Sequence, residues 1–401
     1  MAARKYAIAF VCLIAGIQAG AAEKNETLLK YYRQWKSGYL KKGCGAASYY
    51  VSVGEGGGGG MEKDSISNSE GQGYGMVAVA LMAKQDPDAQ GIFDGLLKFA
   101  RDHRATASPY LMGWNQDKNC ESVEDDGVVD TATDGDLDIA YGLLLAHQAW
   151  GDEGTIDYLK EARSTIQAIM DLEINQDYWT PKLGAFVSSD DPKYYNAARP
   201  SDFMIEHFKA FAKATGDSRW SRVADKALSL LEYTQANLSP DTGLIPDFLV
   251  GLNSRVVPAK PDFIEGKTDG FYSYNACRVP LRLAIDFLLT GDSRSLAIIK
   301  KLNSWFFDVT EGDPGRILDG YKLDGTLASK KDAGFSMAFA GPLAVSAMAG
   351  ASGTSDSDIQ EWVDSLWETL SDPDMSGEDY YGYTLKLLSM IAFTGNWHSP
   401  V

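Results

Sequence analysis

Two stretches of the chain gather residues able to move protons. Ser69-Glu-Gly-Gln-Gly-Tyr-Gly75 leads into an apolar run over residues 76–82, and Ala132-Thr-Asp-Gly-Asp-Leu-Asp-Ile-Ala140 continues as an apolar helix to Trp150. In the first, Ser69 reads as the N-cap, which places Glu70 in the first turn of a helix. A carboxylate there can simply complement the helix dipole. The glycines that follow weigh the other way, because they leave the carboxyl room to meet a ligand. In the second, Asp134, Asp136 and Asp138 alternate as the chain enters its helix, and capping accounts for part of such a cluster. The EF-hand spacing with its later Glu is absent. His147, farther along, reads as a packed or surface histidine.

The elements that must carry these acids are helices. Apolar residues recur at three- and four-residue spacing over residues 156–172, 218–230, 279–289, 295–307 and 385–393, whereas β-branched alternation is scarce. Gln148-Ala-Trp-Gly-Asp152, Ala214-Thr-Gly-Asp217 and Leu289-Thr-Gly-Asp292 each close one helix and open another, with Gly as the left-handed cap and Asp as the next acceptor; Phe393-Thr-Gly-Asn396 resembles the same closure. The chain therefore reads as helical hairpins about 60 to 75 residues apart. Such hairpins stack as an open solenoid or close into a ring of inner and outer helices. Long segments at 54–68, 110–133, 176–201, 239–274 and 309–333 favour the ring, and gathered at one end they would build a groove.

The chain opens on Met1-Ala-Ala-Arg-Lys5, an apolar run over residues 6–17 and the small residues Ala19-Gly-Ala-Ala22, the pattern of a secretory signal peptide. That run is shorter than the roughly 20 residues a membrane span needs. Residues 1–22 are thus expected to be removed and 23–401 to form one exported catalytic domain, since no Pro- or Ser-rich linker divides them. Lys and Arg total 37 against 55 Asp and Glu, a net charge of −18 that becomes −20 without Arg4 and Lys5. This repels nucleic acid and anionic membranes and favours a neutral or cationic partner, although solubility alone is an equally good reason for it. The 40 glycines, 9 Trp, 20 Tyr and 16 Phe suit many turns and a groove rich in flat rings. Cys44, Cys120 and Cys277 remain after processing; Cys44 with Cys120 is the expected pair, both lying in loop-like segments. Without CxxC or paired His/Cys spacing, neither a metal nor a cofactor is expected.

At these residues the chain resembles glycoside hydrolase family 8. Ala132 to Trp150 is similar to the family's signature, with Gly142 where Ser or Ala is usual, and Ser69 to Gly75 is similar to the segment of its general acid. The resemblance extends through Gly113-Trp114, Arg199-Pro-Ser-Asp202, Tyr274-Asn-Ala-Cys-Arg-Val-Pro280 and residues 385–397. It implies an all-α (α/α)6 barrel and an inverting endo-glycosidase. On this likeness Glu70 takes the general-acid position and Asp136 the acidic position that holds the sugar. Trp114 resembles a stacking ring, Arg278 a site arginine, and Tyr74, Asp134, Tyr274, Tyr380 and Tyr381 substrate contacts. Asn275 departs from the pattern, since much of the family has its basic Asp there and an amide takes no proton from water. The family also has a branch with Asn at that place and a base Glu on the preceding loop, which Pro261-Asp-Phe-Ile-Glu-Gly-Lys-Thr-Asp-Gly270 resembles. Glu265 is the base that this implies, with Asp262 and Asp269 behind it.

The expected reaction is hydrolysis of internal β-1,4 bonds in chitosan or a β-glucan by a secreted monomer. Inversion requires a protonated acid and an ionised base about 6.5 to 9.5 Å apart, with water between base and sugar. A non-catalytic glycan-binding protein that kept the groove is the competing reading, supported by Asn275 and opposed by Glu265. A lyase on acidic polysaccharides fits poorly, because that chemistry wants a basic groove and the chain has only 4 His.

Overall fold

The computed structural model describes residues 2–54, 64–331, 333–374 and 377–401, with side chains from residue 20 onward. Among the described residues thirteen α-helices form: α1 (Ala2–Tyr39), α2 (Ser69–Leu81), α3 (Ala89–Asp102), α4 (Thr133–Trp150), α5 (Tyr158–Leu172), the single turn α6 (Pro192–Tyr195), α7 (Ile205–Thr215), α8 (Arg219–Asn237), α9 (Val279–Thr290), α10 (Ser293–Thr310), α11 (Met337–Gly350), α12 (Ser357–Ser371) and α13 (Tyr380–Phe393). Burial divides them into two classes. α2 is buried along its whole length, and α4, α11 and α13 nearly so. α3, α5, α8, α10 and α12 bury one stripe only; in α3 it is Ile92, Phe93, Leu96, Leu97 and Phe99, while Gln90 and Lys98 face solvent.

α2, α4, α11 and α13, with α7 and α9, which are buried mainly in their first halves, close a ring. α2 packs on α4, α4 on α7, α7 on α9, α9 on α11, α11 on α13, and α13 returns to α2. Each has its striped partner outside, with α3 on α2, α5 on α4, α8 on α7, α10 on α9, α12 on α11 and α1 on α13. This is an (α/α)6 barrel. The N-terminal helix seals it, as the Trp35 indole donates to Thr384 Oγ1 at 3.0 Å and the Tyr31 hydroxyl to the Tyr383 carbonyl at 3.2 Å. The expected leader forms the beginning of α1; its side chains up to residue 19 lie outside the described residues.

The expected helix ends hold in part. Gly216 and Gly291 adopt left-handed conformations with φ of 73°, and Asp292 caps α10 by accepting from the Arg294 amide. α5, by contrast, is capped by Asp157, while Asp152 lies in the preceding turn and accepts from the Leu159 amide. α11 shows no apolar stripe in the sequence because every side of it is buried.

Because α2, α4, α7, α9 and α11 are each followed by an outer helix running back, and α13 runs antiparallel to α1, with Lys24 over Phe393 and Trp35 at Thr384, all six inner helices begin at the same end of the barrel, where the long loops collect. Those loops carry short strands that the sequence did not reveal. β1 (Leu40–Lys42) pairs with β2 (Tyr49–Val51), β3 (Ser65–Asn68) pairs with the strand Asn115–Asp117, and Ala197–Ala198, Leu249–Val250 and Val257–Pro258 form a three-stranded sheet. Of the expected loop 54–68, residues 55–63 lie outside the described residues. A Cys44–Cys120 disulfide, Cα–Cα 5.4 Å, ties the β1–β2 turn to the segment after Asn115–Asp117. Cys277 is buried and unpaired.

Candidate active site

Glu70 owes its position to a helix start and a strand pair. Asn68, extended at φ −143°, caps α2 by accepting from the Gly71 amide at 2.7 Å. Ser69, expected to be the cap, is the first helical residue instead, and its amide donates to the Trp114 carbonyl at 3.0 Å. The reason is the strand: pairing Asn68 with Asn115 keeps residue 68 extended and sets the helix to begin one residue later. The glycines also have a different role from the one expected. A Cβ on Gly71 would meet the Tyr380 hydroxyl at 2.7 Å, one on Gly73 the Gly135 carbonyl at 2.9 Å, and one on Gly135 Ser69 at 2.5 Å. They let α2, α4 and Tyr380 touch, so that Glu70 and the acids of α4 share one floor.

Arg278 joins the groups from the other helix starts. Its Nη1 donates to Glu70 Oε2 at 2.6 Å, to Asp134 Oδ2 at 2.8 Å and to the Tyr74 hydroxyl at 3.2 Å. Its Nη2 donates to Ser201 Oγ and to Asn275 Oδ1, both at 2.9 Å. Arg199 lies beside it, pairing with Asp134 Oδ1 at 3.0 Å and with both oxygens of Asp202. Two guanidinium groups thus face four carboxyls, those of Glu70, Asp134, Asp202 and Glu265, and full ionisation of all four would leave excess negative charge in a buried site. The strain falls unevenly. Burial would raise Asp134, but Arg199 and Arg278 outweigh it and hold that carboxyl below its usual range. Glu70 is pushed up to about 7, chiefly by burial and then by Asp134 and Glu265, with Arg278 opposing. Asp202 rises to about 6, again through burial, against Arg199. Of Glu70, Asp134 and Asp202, Glu70 is thus pushed highest.

Glu265 stands on the other side of this chain of contacts. Asn275 Nδ2 donates to Glu265 Oε2 at 2.6 Å, and Glu265 Oε1 lies 3.9 Å from Arg199, with the side chain 29 % exposed. The Asn275 amide thus links the loop carboxylate to Arg278 and through it to Glu70. Asp269 organises the loop: its carboxylate accepts the amides of Ile264 at 2.8 Å, Glu265 at 3.2 Å and Gly266 at 2.9 Å. Asp269 is buried with its oxygens committed to those amides, and Asp262 is exposed at the turn. Phe263 seats the loop by packing edge-on against Tyr194, ring centroids 5.5 Å apart, and against Phe248 at 5.8 Å.

Asp136 does not join this group. It is fully buried, and its Oδ1 accepts the Met112 amide at 2.9 Å, on the side of α4 away from Arg278. Alternation along the sequence became a helical rotation of about 200° between residues 134 and 136, so Asp134 faces Arg278 and Asp136 faces the neighbouring strand. Tyr380 joins, its hydroxyl donating to Glu70 Oε1 at 3.4 Å. The Tyr381 hydroxyl donates to the Tyr274 carbonyl at 2.7 Å, fixing the chain just before Asn275. Tyr274 itself is 46 % exposed, its hydroxyl on Asp319 at 3.0 Å, and offers a ring face to the groove end. Trp114, partly exposed, adjoins the start of α2 through its backbone. His147 pairs with Asp152 at 2.7 Å. Among the described residues no cluster of His, Cys, Asp and Glu suits a metal ion.

The sequence reading missed Asp247. It is buried and its Oδ1 accepts the amides of Ser273 at 3.2 Å, Asn275 at 3.1 Å and Ala276 at 2.6 Å, holding the turn that presents Asn275. Burial, together with Glu265, raises its carboxyl well above the usual range against those amides. Its partners lie far along the chain, and no local motif marks it. Ser201 and Asp202 were marked only as part of a motif, without a role.

The sequence pattern of the Glycosyl hydrolases family 8 matches residues 2–395. A β-glucanase of Niallia circulans is 43% identical over 363 residues, 90% of this chain and 83% of that protein. An endoglucanase of Bacillus sp. strain KSM-330 is 39% identical over 382 residues, 94% of this chain and 77% of the relative. The apo structure of a β-1,3-1,4-glucanase from Paenibacillus sp. X4 superposes with a TM-score of 0.85 at 41% identity, covering 94% of this chain and 93% of that one. With the barrel closed and the acid-bearing helix starts converging on Arg278, the chain belongs to glycoside hydrolase family 8 and is an endo-acting glycoside hydrolase.

Proposed function

We propose that this enzyme hydrolyses internal β-1,4 bonds of a β-glucan with inversion, using Glu70 as general acid and Glu265 as general base. The observation that carries this reading is the relay Glu70–Arg278–Asn275–Glu265, in which a buried carboxyl and a partly exposed one are held apart by a guanidinium and an amide. Direct pairing would suit a nucleophile close to the sugar carbon; a spacer suits a water between base and sugar. Glu70, neutral below about 7, protonates the leaving oxygen. Glu265, partly exposed and accepting from Asn275, takes the proton of the attacking water. Asp134 stays ionised between Arg199 and Arg278 and keeps both guanidiniums oriented. This assigns to Asp134 the charged role at the sugar first expected of Asp136.

Glu265 supplies the carboxylate that Asn275 lacks, which weighs against a binding protein without activity. The named activities of the relatives favour β-glucan over chitosan, although the chain's negative charge suits a cationic polymer. The exposed rings of Tyr274, Phe186 and Phe335, all in loops at the site end, are the surfaces on which sugars would stack. The N-terminal leader pattern and the Cys44–Cys120 disulfide support export, and cleavage before Glu23 by the secreting host is the direct check. The deciding experiment measures reducing ends released from lichenan, carboxymethyl cellulose and chitosan, with the anomer of the first product followed by NMR. Release of α-anomers from lichenan is expected. β-anomers would refute inversion, and release from chitosan alone would refute the substrate.

A further inference from the structure

Two buried acids have no place in the relay above. Asp136 and Glu173, the residue that ends α5, are both fully buried. One oxygen of each is engaged: Asp136 Oδ1 accepts the Met112 amide at 2.9 Å, and Glu173 Oε1 accepts the Thr131 hydroxyl at 2.5 Å. The other oxygens, Asp136 Oδ2 and Glu173 Oε2, meet no donor from the surrounding protein, yet the two carboxyls lie within hydrogen-bonding reach of each other. The charged groups around them do not resolve this. Lys182 donates to the Val187 carbonyl at 2.8 Å, Arg101 on α3 is engaged with Glu161, Thr165 and the Tyr110 carbonyl, and Asp134 adds further negative charge. Two adjacent carboxylates without donors are untenable in such a place, whereas a single proton between the orphaned oxygens satisfies both.

We propose that Asp136 and Glu173 share one proton and serve as a positioning pair for the acid side of the active site. The pair fastens three segments that frame Glu70. Asp136 holds Met112, next to the Gly113–Trp114 stretch whose carbonyl receives the Ser69 amide at 3.0 Å. Glu173 holds Thr131, whose hydroxyl accepts the Ala185 amide at 2.8 Å, and the Thr133 amide at the start of α4 donates to Leu183 at 3.3 Å. The inference rests on the proposed function only in naming Glu70 as the acid that the pair supports. Burial first, and then mutual repulsion, raise Asp136 well above its usual range; burial raises Glu173 to about 7. For a carboxyl raised in the folded state, the stabilisation is complete below the unfolded value and is lost as pH climbs through the folded one. The pair should therefore weaken on the alkaline side.

The test uses amides. Glu173→Gln and Asp136→Asn each replace the shared proton with a permanent N–H, so each single variant keeps the hydrogen bond. Combined, they force two NH2 groups together, because both carbonyl oxygens remain committed to Met112 and Thr131. Melting temperatures are to be followed between about pH 5 and about pH 8 in a Glu70→Gln background, which removes that residue's own titration. Each single variant is expected to flatten the fall in melting temperature with pH, and the double variant to lose more than the two singles together, or to fail to fold while both singles fold. With Glu70 intact, Glu173→Ala should lower kcat about tenfold with little change in KM, and Glu173→Gln should restore it. Unchanged pH slopes in the singles, additive losses in the double, or no rescue by Gln would overturn the shared proton. None of these depends on Glu265 being the base.

Discussion

The two halves of the active site are built on different foundations. Glu70 stands at the start of a helix buried along its length, on a floor where glycines admit direct contact with α4 and Tyr380, and where Arg278 reaches several helix starts at once. Glu265 stands on a loop whose backbone is bracketed by Asp269 and whose Phe263 seats on a small cluster of Phe248, Leu183, Val187 and Ala259, separate from the main core. The acid side is rigid because removing any member leaves a buried charge or an orphaned donor. The Glu265 loop, seated outside the main core, is expected to be displaced at little cost to the barrel. On the proposed roles, the acid must be desolvated to keep its proton, which a helix start deep in the ring provides, and the base must be hydrated to use water, which a rim loop provides.

The largest effect to expect comes from breaking the acid side at its centre. Arg278→Met leaves Glu70 and Asp134 without their common cation, a loss of about 3 to 5 kcal/mol by analogy with other broken buried pairs, together with loss of activity. Denaturant unfolding and lichenan hydrolysis read both, and an active variant of normal stability would show that the hub is dispensable. Glu265→Gln should separate the halves. Turnover should fall by at least about two orders of magnitude, as for removal of a positioned base, with stability within about 0.5 kcal/mol of the parent. Equal activity would send the base role elsewhere. Phe263→Ala is expected to be milder, lowering kcat by about tenfold through a misplaced loop while KM and the melting temperature move little. A large drop in melting temperature would mean that the loop is part of the barrel's core after all.

This contrast also explains what the sequence disclosed. The ring was legible because its outer helices carry apolar stripes, as in residues 158–172 and 293–310, and because Gly216 and Gly291 mark helix ends by a conformation few other residues adopt. α11, apolar on all sides, offered no stripe. Glu70 was legible from a local motif, although its cap was misread, since the pairing of β3 with Asn115–Asp117 is a long-range fact. Asp134 and Asp136 could not be told apart in the sequence because residue spacing shows that both lie near a helix start and not which side each one faces; the packing of α4 turns Asp134 to Arg278 and Asp136 to the Met112 strand. Asp247 was invisible because three amides from residues 273–276 give it a role that exists only in three dimensions. Fold follows from periodic patterns repeated many times, whereas a site follows from single contacts.

Asn275 gives the smallest and most discriminating test, because it belongs to both halves. Its amide donates to Glu265 and accepts from Arg278, one group serving both partners. Asn275→Asp keeps the acceptor for Arg278 and removes the donor, setting a second carboxylate against that of Glu265. Like charges so close cannot both ionise freely, so the pair should hold a proton to higher pH than Glu265 does alone. On the proposed roles the base is then ionised only at higher pH, while the alkaline limb, set by Glu70 at about 7, stays where it is. The pH–rate profile should therefore narrow from its acidic side, and the rate at the optimum should fall severalfold instead of vanishing. A strong gain in rate would mean that an aspartate at this position is the better base and that Glu265 contributes little. An unchanged profile would mean that the Asn275–Glu265 contact is absent in the working enzyme, and the two halves would then have to communicate through Arg199, whose guanidinium stands 3.9 Å from the same carboxylate.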